Sequence, residues 1–464
     1  MQIADPRRSG LPACAAVRSR LGFVLRLVLG LVVAPGVCAF AVLPARAQSD
    51  VRIDIQSDQA RKIRLLAESF QSAGDRGPAR QAAVQADPIL ANDLELSSLF
   101  AVARAWDPGG KYALDVQAVV SGKITVRGAV ITLEGQIQDF PARRLIGRSE
   151  YRGSLSDLRR LVHRFADDVA FHLTGEAGIA QTRIAYVATN GRTRELWVAD
   201  YDGYNPHPLT AFKSLLASPS WAPDGHEILF ASPRVNGWQV YGVPGQGGQA
   251  RQVTNSGSLN IAPAWAPDGR SFAFASNREG NSEIYVAGSD GGGVRRLTVN
   301  HAIDTSPAWA PNGQQIAFTS DRSGSAQVYV MDADGGNPRR LNFEFGYTDS
   351  PDWSPRGDRI AFVVRTGGGF DIYVASADGT GARPIVTGGS NENPRWSPDG
   401  RQLVFSSDRG GRRGVWVTDL RGQTVRPLAL PGGAAANPAW SPRPSYGAVV
   451  GATVGSTAHP SEGR

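Results

Sequence analysis

Of the 464 residues, 54 are Gly, 30 are Pro and ten are Trp; hydrophobic residues make up 41% and the formal net charge is +7. Gly without a strict three-residue period excludes a collagen-like rod, and this apolar content excludes a disordered chain. The length allows two or three domains with ample cores.

Residues 1–47 read as a signal peptide. Arg7, Arg8, Arg18, Arg20 and Arg26 precede an apolar stretch from Leu27 to Leu43, broken by Pro35 and Gly36. Ala45-Arg46-Ala47 then supplies small residues where a signal peptidase reads, so cleavage is expected after Ala47. A membrane anchor would need a longer, uninterrupted run, so no stable membrane insertion is expected after cleavage. Cys14 and Cys38 both fall in this segment, leaving the remainder without a disulfide or a cysteine metal site. The segment also carries six Arg and one Asp, a net of +5 out of the total +7, so the remainder is only +2. Nucleic-acid binding thereby loses its main support.

Residues 48–175 suggest a small α/β domain. Val51, Ile53 and Ile55 alternate with Arg52 and Asp54, as in an extended N-terminal strand. The stretch 61–70 suits a strand or a helix. Asp87-Pro88 opens an expected helix to about Phe100, with Pro at its first position. Strands are expected at roughly 113–120, 123–138 and 143–151. Ser156 is expected to cap a helix from Asp157 to Leu173, with Gly175 at its end.

From residue 176 to 446 one sentence repeats. Pro-x-Trp places Trp at 221, 265, 309, 353, 396 and 440, and five of these copies continue as Trp-Ala/Ser-Pro-x-Gly. A period of about 40–45 residues matches one four-stranded propeller blade. Second strands follow with Tyr186, Phe230, Phe274, Phe318, Phe362 and Phe405, and third strands with Trp197, Tyr241, Tyr285, Tyr329, Tyr373 and Trp416. Asp-Gly pairs such as Asp290-Gly291 mark hairpin turns. The first set of strands lacks a Pro-x-Trp before it, and the last Pro-x-Trp lacks a second strand after it. Joining the two completes a sixth blade and removes the open edge. The fold class is therefore mainly β: a six-bladed β-propeller closed by its C-terminal first strand, preceded by a small α/β domain. The aromatic columns and the Ser-x-Arg pieces (Ser276, Arg278; Ser320, Arg322; Ser407, Arg409) recur around the ring and read as architecture. A Gly/Ser/Ala-rich tail, 447–464, reads as disordered.

Catalytic motifs are absent: no Gly-x-Ser-x-Gly, P-loop, His-Glu-x-x-His or dinucleotide fingerprint occurs. His163, His172, His207, His226, His301 and His459 have no metal-ligand spacing and read as surface or capping residues. No catalytic residue, cofactor or metal is expected; the chain reads as a binding protein, not an enzyme.

The order of signal, small α/β domain and ring resembles the TolB family of periplasmic Tol–Pal components. The segments that carry the likeness are Arg183-Ile184-Ala185-Tyr186-Val187, Asp200-Tyr201-Asp202-Gly203-Tyr204-Asn205, Asn260-Ile261-Ala262-Pro263-Ala264-Trp265 and Ala302-Ile303-Asp304-Thr305-Ser306-Pro307. The resemblance implies a periplasmic scaffold that binds the peptidoglycan-associated lipoprotein Pal and TolA, with other outer-membrane proteins as further candidates. It implies a role in outer-membrane integrity and in constriction during division. Val51, Ile53 and Ile55 would belong to the TolA-binding strand, adding to a partner sheet by backbone bonds. Asn260, Ile261, Ala262, Asp304, Thr305, Ser306, Tyr347, Asp349, Asn391, Glu392 and Asn393, in the segments entering the first strands, would face Pal. The alternative is a periplasmic propeller that binds or cleaves a carbohydrate, with Trp106 or Trp238 stacking on sugar.

Overall fold

The computed structural model describes residues 62–444 apart from 75, 106–114, 236 and 432. The expected signal peptide, the Val51, Ile53 and Ile55 strand, Trp106 and the tail lie outside the described residues.

The first layer is a sheet backed by two helices: β1 (Ile63–Ala67), β2 (Gln71–Ser72), α1 (Pro78–Leu96), β3 (Phe100–Arg104), β4 (Ala118–Arg127), β5 (Val130–Asp139), β6 (Leu145–Ser154) and α2 (Leu158–Thr174). Its order is β3-β1-β4-β5-β6, with β2 pairing β4. The ambiguous stretch is thus a strand, buried at Ile63, Leu65 and Ala67. Helix α1 starts nine residues before the expected Asp87 and carries Pro88 in its interior. The buried face formed by Ala79, Ala82, Ala83, Ala86 and Leu90 outweighs the backbone bond that Pro88 removes. Asp87 is no cap: its carboxylate accepts the Phe70 N–H at 2.7 Å. The break expected near residues 121–122 moves to the turn at Gly128, whose φ is +60°. Gly122 instead lets the sheet approach Phe70, since a Cβ there would lie 2.2 Å from the ring. Ser154, not Ser156, begins the second helical segment, its N–H donating to the Asp157 carboxylate at 2.9 Å. Gly175 ends α2 in the left-handed region as expected.

Six four-stranded antiparallel sheets follow. Blade 2 is typical: Asn260–Trp265, Ser271–Ser276, Glu283–Gly288 and Arg295–Arg296. Blades 1, 3, 4 and 5 begin at Ala217, Asp304, Thr348 and Asn391. Blade 6 takes its inner strand, Ala435–Trp440, from the end of the chain and its other three from Arg183–Asn190, Thr193–Asp200 and His207–Pro208. Ala435 pairs with Ala188 and Trp440 with Ile184.

The two aromatic columns are direct cross-strand partners in every blade: Tyr186 with Trp197, Phe230 with Tyr241, Phe274 with Tyr285, Phe318 with Tyr329, Phe362 with Tyr373 and Phe405 with Trp416. Their cores span neighbouring blades; Ala273, Ala275 and Ile284 of blade 2 pack with Ile316, Phe318 and Tyr329 of blade 3. Asp-Gly turns bring blades together. At Gly291, Gly335 and Gly379 a Cβ would lie 2.0, 2.3 and 1.7 Å from the carbonyl oxygens of Val253, Leu297 and Leu341 in the preceding blade. Those glycines also hold φ near +90°, so Gly is needed for conformation and for closeness.

Each inner strand starts on one face of the ring and ends at its Trp on the other. The α/β layer sits on the Trp side. There the Gln402 side chain donates to the Leu96 carbonyl at 2.6 Å, and Arg356 and Arg401 reach Glu176 at 2.8 and 2.9 Å. The face where inner strands begin points away from the α/β layer. No helix among the described residues is long and apolar enough to cross a membrane.

Candidate partner-binding face

The open face is built from the segments that enter each inner strand. Strand alternation and one bulge per blade decide what each position does. The second residue of the blade 1 inner strand and the third of every other adopt positive φ: Ser218, Ala262, Ser306, Ser350, Asn393 and Asn437, between 47° and 54°. The bulge turns the strand entrance without consuming the side chains on either side of it.

Asn260, Asp304 and Asn391 open their strands and are fully buried. Each is held by the Ser-x-Arg piece of its own blade. The Asn260 carbonyl oxygen accepts from Ser276 at 2.8 Å and Arg278 at 3.1 Å. Asp304 pairs with Arg322 at 2.9 Å, and Asn391 accepts from Ser407 at 2.7 Å and Arg409 at 3.2 Å. Arg322 in turn lies over Phe318 and Tyr329, 5.3 and 4.9 Å from the ring centroids. These three anchors fix the loops and are too buried to meet a partner directly.

Ile261, Thr305 and Glu392, which follow them, and Asp349, which follows Thr348 in blade 4, stay partly exposed. Asp349 accepts from Thr319 at 2.8 Å and from the Tyr347 hydroxyl at 3.3 Å. Burial first, then the Asp349 carboxylate, pushes the Tyr347 hydroxyl above its usual pKa. Arg365 covers the Tyr347 ring at 4.1 Å. Burial would raise the Glu392 carboxyl, but hydrogen bonds from Arg413 and Ser390 outweigh it and hold the group below its usual value. Glu392 and Arg413 are 2.7 Å apart. With Asn393, Asn437, Thr189 and Arg194 they line a cavity of about 470 Å³ at the mouth of the ring. The expected residues therefore come together in two groups: Tyr347 and Asp349 at blade 4, and Glu392 and Asn393 at blade 5. Ile261, Ala262, Thr305 and Ser306 lie farther round the ring.

Exposed apolar side chains on the same face were not singled out from the sequence. Val299 and Ile303 precede the blade 3 inner strand and Phe343 precedes that of blade 4; they are 77%, 55% and 78% exposed. Leu215 precedes blade 1 and is also exposed. Aligned on the repeat, Val299 and Phe343 stand where blade 2 carries Asn255, whereas Ile303 stands where blade 2 carries Leu259, so the repeat marked the first two and not the third. Grouped apolar exposure of this kind marks contact surfaces.

The opposite mouth differs. All six Trp-Ala/Ser-Pro segments border it around a cavity of about 310 Å³. Asp352 and Arg395 replace the small residue found there in the other blades, 3.7 Å apart. Burial pushes the Asp352 carboxyl up to about 6, against the pull of Arg395 and the Trp396 N–H.

The family described as the TolB beta propeller domain matches residues 171–444. The chain belongs to the TolB β-propeller family. Among its relatives, the Tol-Pal system protein TolB of Desulfosudis oleivorans is 34% identical over 217 residues, 43% of this chain and 49% of that protein. The protein of the same name from Geobacter sulfurreducens is 37% identical over 202 residues, 40% of this chain and 46% of that protein. The chain thus spans about half the length of these curated relatives. The crystal structure of TolB from Acinetobacter baumannii superposes with a TM-score of 0.73 at 26% identity, covering 83% of this chain and 98% of that one. That agreement extends the TolB likeness from the ring into the α/β layer.

Proposed function

We propose that this TolB-family chain is a periplasmic scaffold of the Tol–Pal system that binds and performs no catalysis. The open face of the ring takes Pal, and the Val51, Ile53 and Ile55 strand takes TolA. The observation that carries the reading is the open face itself. It points away from the α/β layer and combines exposed Val299, Ile303 and Phe343 with the Glu392–Arg413 mouth. Apolar anchors beside a polar rim are what a protein partner needs. Tyr347, Asp349, Thr305, Ser306, Ile261, Ala262 and Asn393 would contribute to that rim, and Asn260, Asp304 and Asn391 would hold it in shape. Outer-membrane integrity and constriction in division would follow from linking the two partners.

The test is capture from detergent-solubilised envelopes with the exported, tagged chain. A lipoprotein with an OmpA-like domain is the expected partner. The double variant Ile303→Ser, Phe343→Ser should lower its recovery about tenfold or more, with the thermal midpoint unchanged. Deleting residues 48–56 should abolish TolA capture and spare the lipoprotein. Loss of both would overturn the two-site arrangement, and a bound glycan with no lipoprotein would favour the carbohydrate reading.

A further inference from the structure

His163 is buried, contrary to its expected surface or capping place. It belongs to a chain of polar groups that joins the α/β layer to the ring. Its Nδ1 lies 2.6 Å from one oxygen of Asp93 on α1. The hydroxyl of Tyr201, in the turn after the third strand of blade 6, donates to the other oxygen at 2.9 Å. The His163 and Tyr201 rings meet edge to face, with centroids 6.0 Å apart and planes at 81°. All three side chains are buried, and His163 Nε2 bonds nothing among the described residues.

Charges face this group from every element around it. Helix α2 adds Arg159 and Asp167, the end of the third strand adds Asp200, the turn after it adds Asp202, and the strand Val425–Pro427 adds Arg426. Donor atoms of Asp93, His163 and Asp202 lie within 4.8 Å of one another. The guanidinium of Arg159 is paired with Asp202 and stacks 4.0 Å over Tyr204. Both Asp93 oxygens are engaged as well, so a protonated imidazole, not a metal ion, is the natural counter-charge for Asp93. Burial alone would pull the imidazole down, but the Asp93 carboxylate outweighs it and holds His163 above its ordinary value.

We infer that Asp93, His163 and Tyr201 form a proton-controlled latch between the α/β layer and the ring. The latch is tight while imidazolium faces carboxylate. A His whose folded pKa is raised stabilises fully below its free value, about 6.5, and that contribution is lost as pH rises through the folded value. Once the proton leaves, Nδ1–H can still donate to Asp93, but the buried carboxylate has lost its counter-charge. Only the contact between layer and ring then weakens; blades 1 to 4 keep the cores they share with one another.

Hydrogen exchange on the full chain between pH 6 and pH 9, corrected for intrinsic rates, tests this. Protection at residues 199–205 and 93–99 should fall about tenfold or more across that range, while the Ser271–Ser276 strand stays protected. His163→Gln, uncharged throughout, should give a flat profile at the parent's high-pH level. Tyr201→Phe should lower protection at every pH. A flat parent profile, an unchanged slope in His163→Gln, or a fall reproduced by a chelator at pH 6 would overturn the latch. Should His163→Gln fail to fold, the imidazole of the parent can be titrated by NMR; a pKa at or below that of free histidine would overturn it equally.

Discussion

The indole N–H of Trp440 donates to the hydroxyl of Thr182 at 2.8 Å, joining residues 258 positions apart at the seam of blade 6. Both side chains are buried, and the Thr182 hydroxyl that accepts from the indole donates in turn to the Ile179 carbonyl at 2.6 Å. Trp440→Phe keeps most of the packing and removes one buried hydrogen bond, while the Thr182 hydroxyl keeps the Ile179 carbonyl, so it should cost about 1 kcal/mol. Trp440→Ala should cost about 3–5 kcal/mol. Urea unfolding followed by far-ultraviolet circular dichroism separates the two.

Two glycines distinguish backbone conformation from close approach. Gly324 holds φ at +93° with nothing within 4 Å of a Cβ, whereas Gly335 holds +98° with the Leu297 carbonyl 2.3 Å away. Gly324→Ala should cost about 1–2 kcal/mol from the left-handed conformation alone. Gly335→Ala should cost more, because the seam between blades 2 and 3 must also open. Equal losses in thermal or urea unfolding would show that close approach contributes nothing.

Asp304 occupies the place that Asn260 and Asn391 hold in blades 2 and 5, always against an arginine. Arg322→Ala leaves a buried carboxylate without its partner and should destabilise by about 3 kcal/mol. Asp304→Asn copies what the neighbouring blades already do and should change stability by less than about 1 kcal/mol. Combining both changes should restore most of the loss, as measured by a double-mutant cycle in urea.

Asp352 gives the ring a pH dependence of definite sign. Its carboxyl is largely withdrawn from water at the cavity of the Trp-side mouth and is pushed up to about 6 from an ordinary 3.8. Between those values the folded chain holds a proton that the unfolded chain releases, so this group's contribution falls as pH rises from about 4 to 6. Above that window the desolvated charge remains a cost. Asp352→Asn should therefore be more stable than the parent at pH 8, by about 1–2 kcal/mol, with the gap closing towards pH 4. A gap that widens on acidification would contradict the assignment.

The ring was legible because its physics repeats. Pro-x-Trp and the paired aromatics such as Phe318 and Tyr329 each solve the same packing problem six times, and the unpaired ends at Arg183 and Trp440 announced how it closes. The α/β layer was less legible because single contacts govern it. Nothing local says that Ala79 to Ala86 would carry a helix past Pro88, or that Gly122 sits under Phe70. The candidate face was readable by position and not by exposure. Asn260, Asp304 and Asn391 look like loop polar residues until their arginines, 18 positions later, are seen to bury them. His163 was misjudged for the same reason, since Asp93 and Tyr201 are brought to it only by the tertiary fold.

The seam of blade 6 also sets an order of events. Its inner strand, Ala435–Trp440, is synthesised more than two hundred residues after the Arg183–Asn190 strand it pairs with. Until it arrives, the Arg183–Asn190 edge is unpaired and the ring is one strand short. A growing or threading chain therefore cannot lock its native circle early, however quickly the middle blades collapse. This late strand acts as a keystone, and premature release ahead of it leaves a sticky edge, not a smaller propeller.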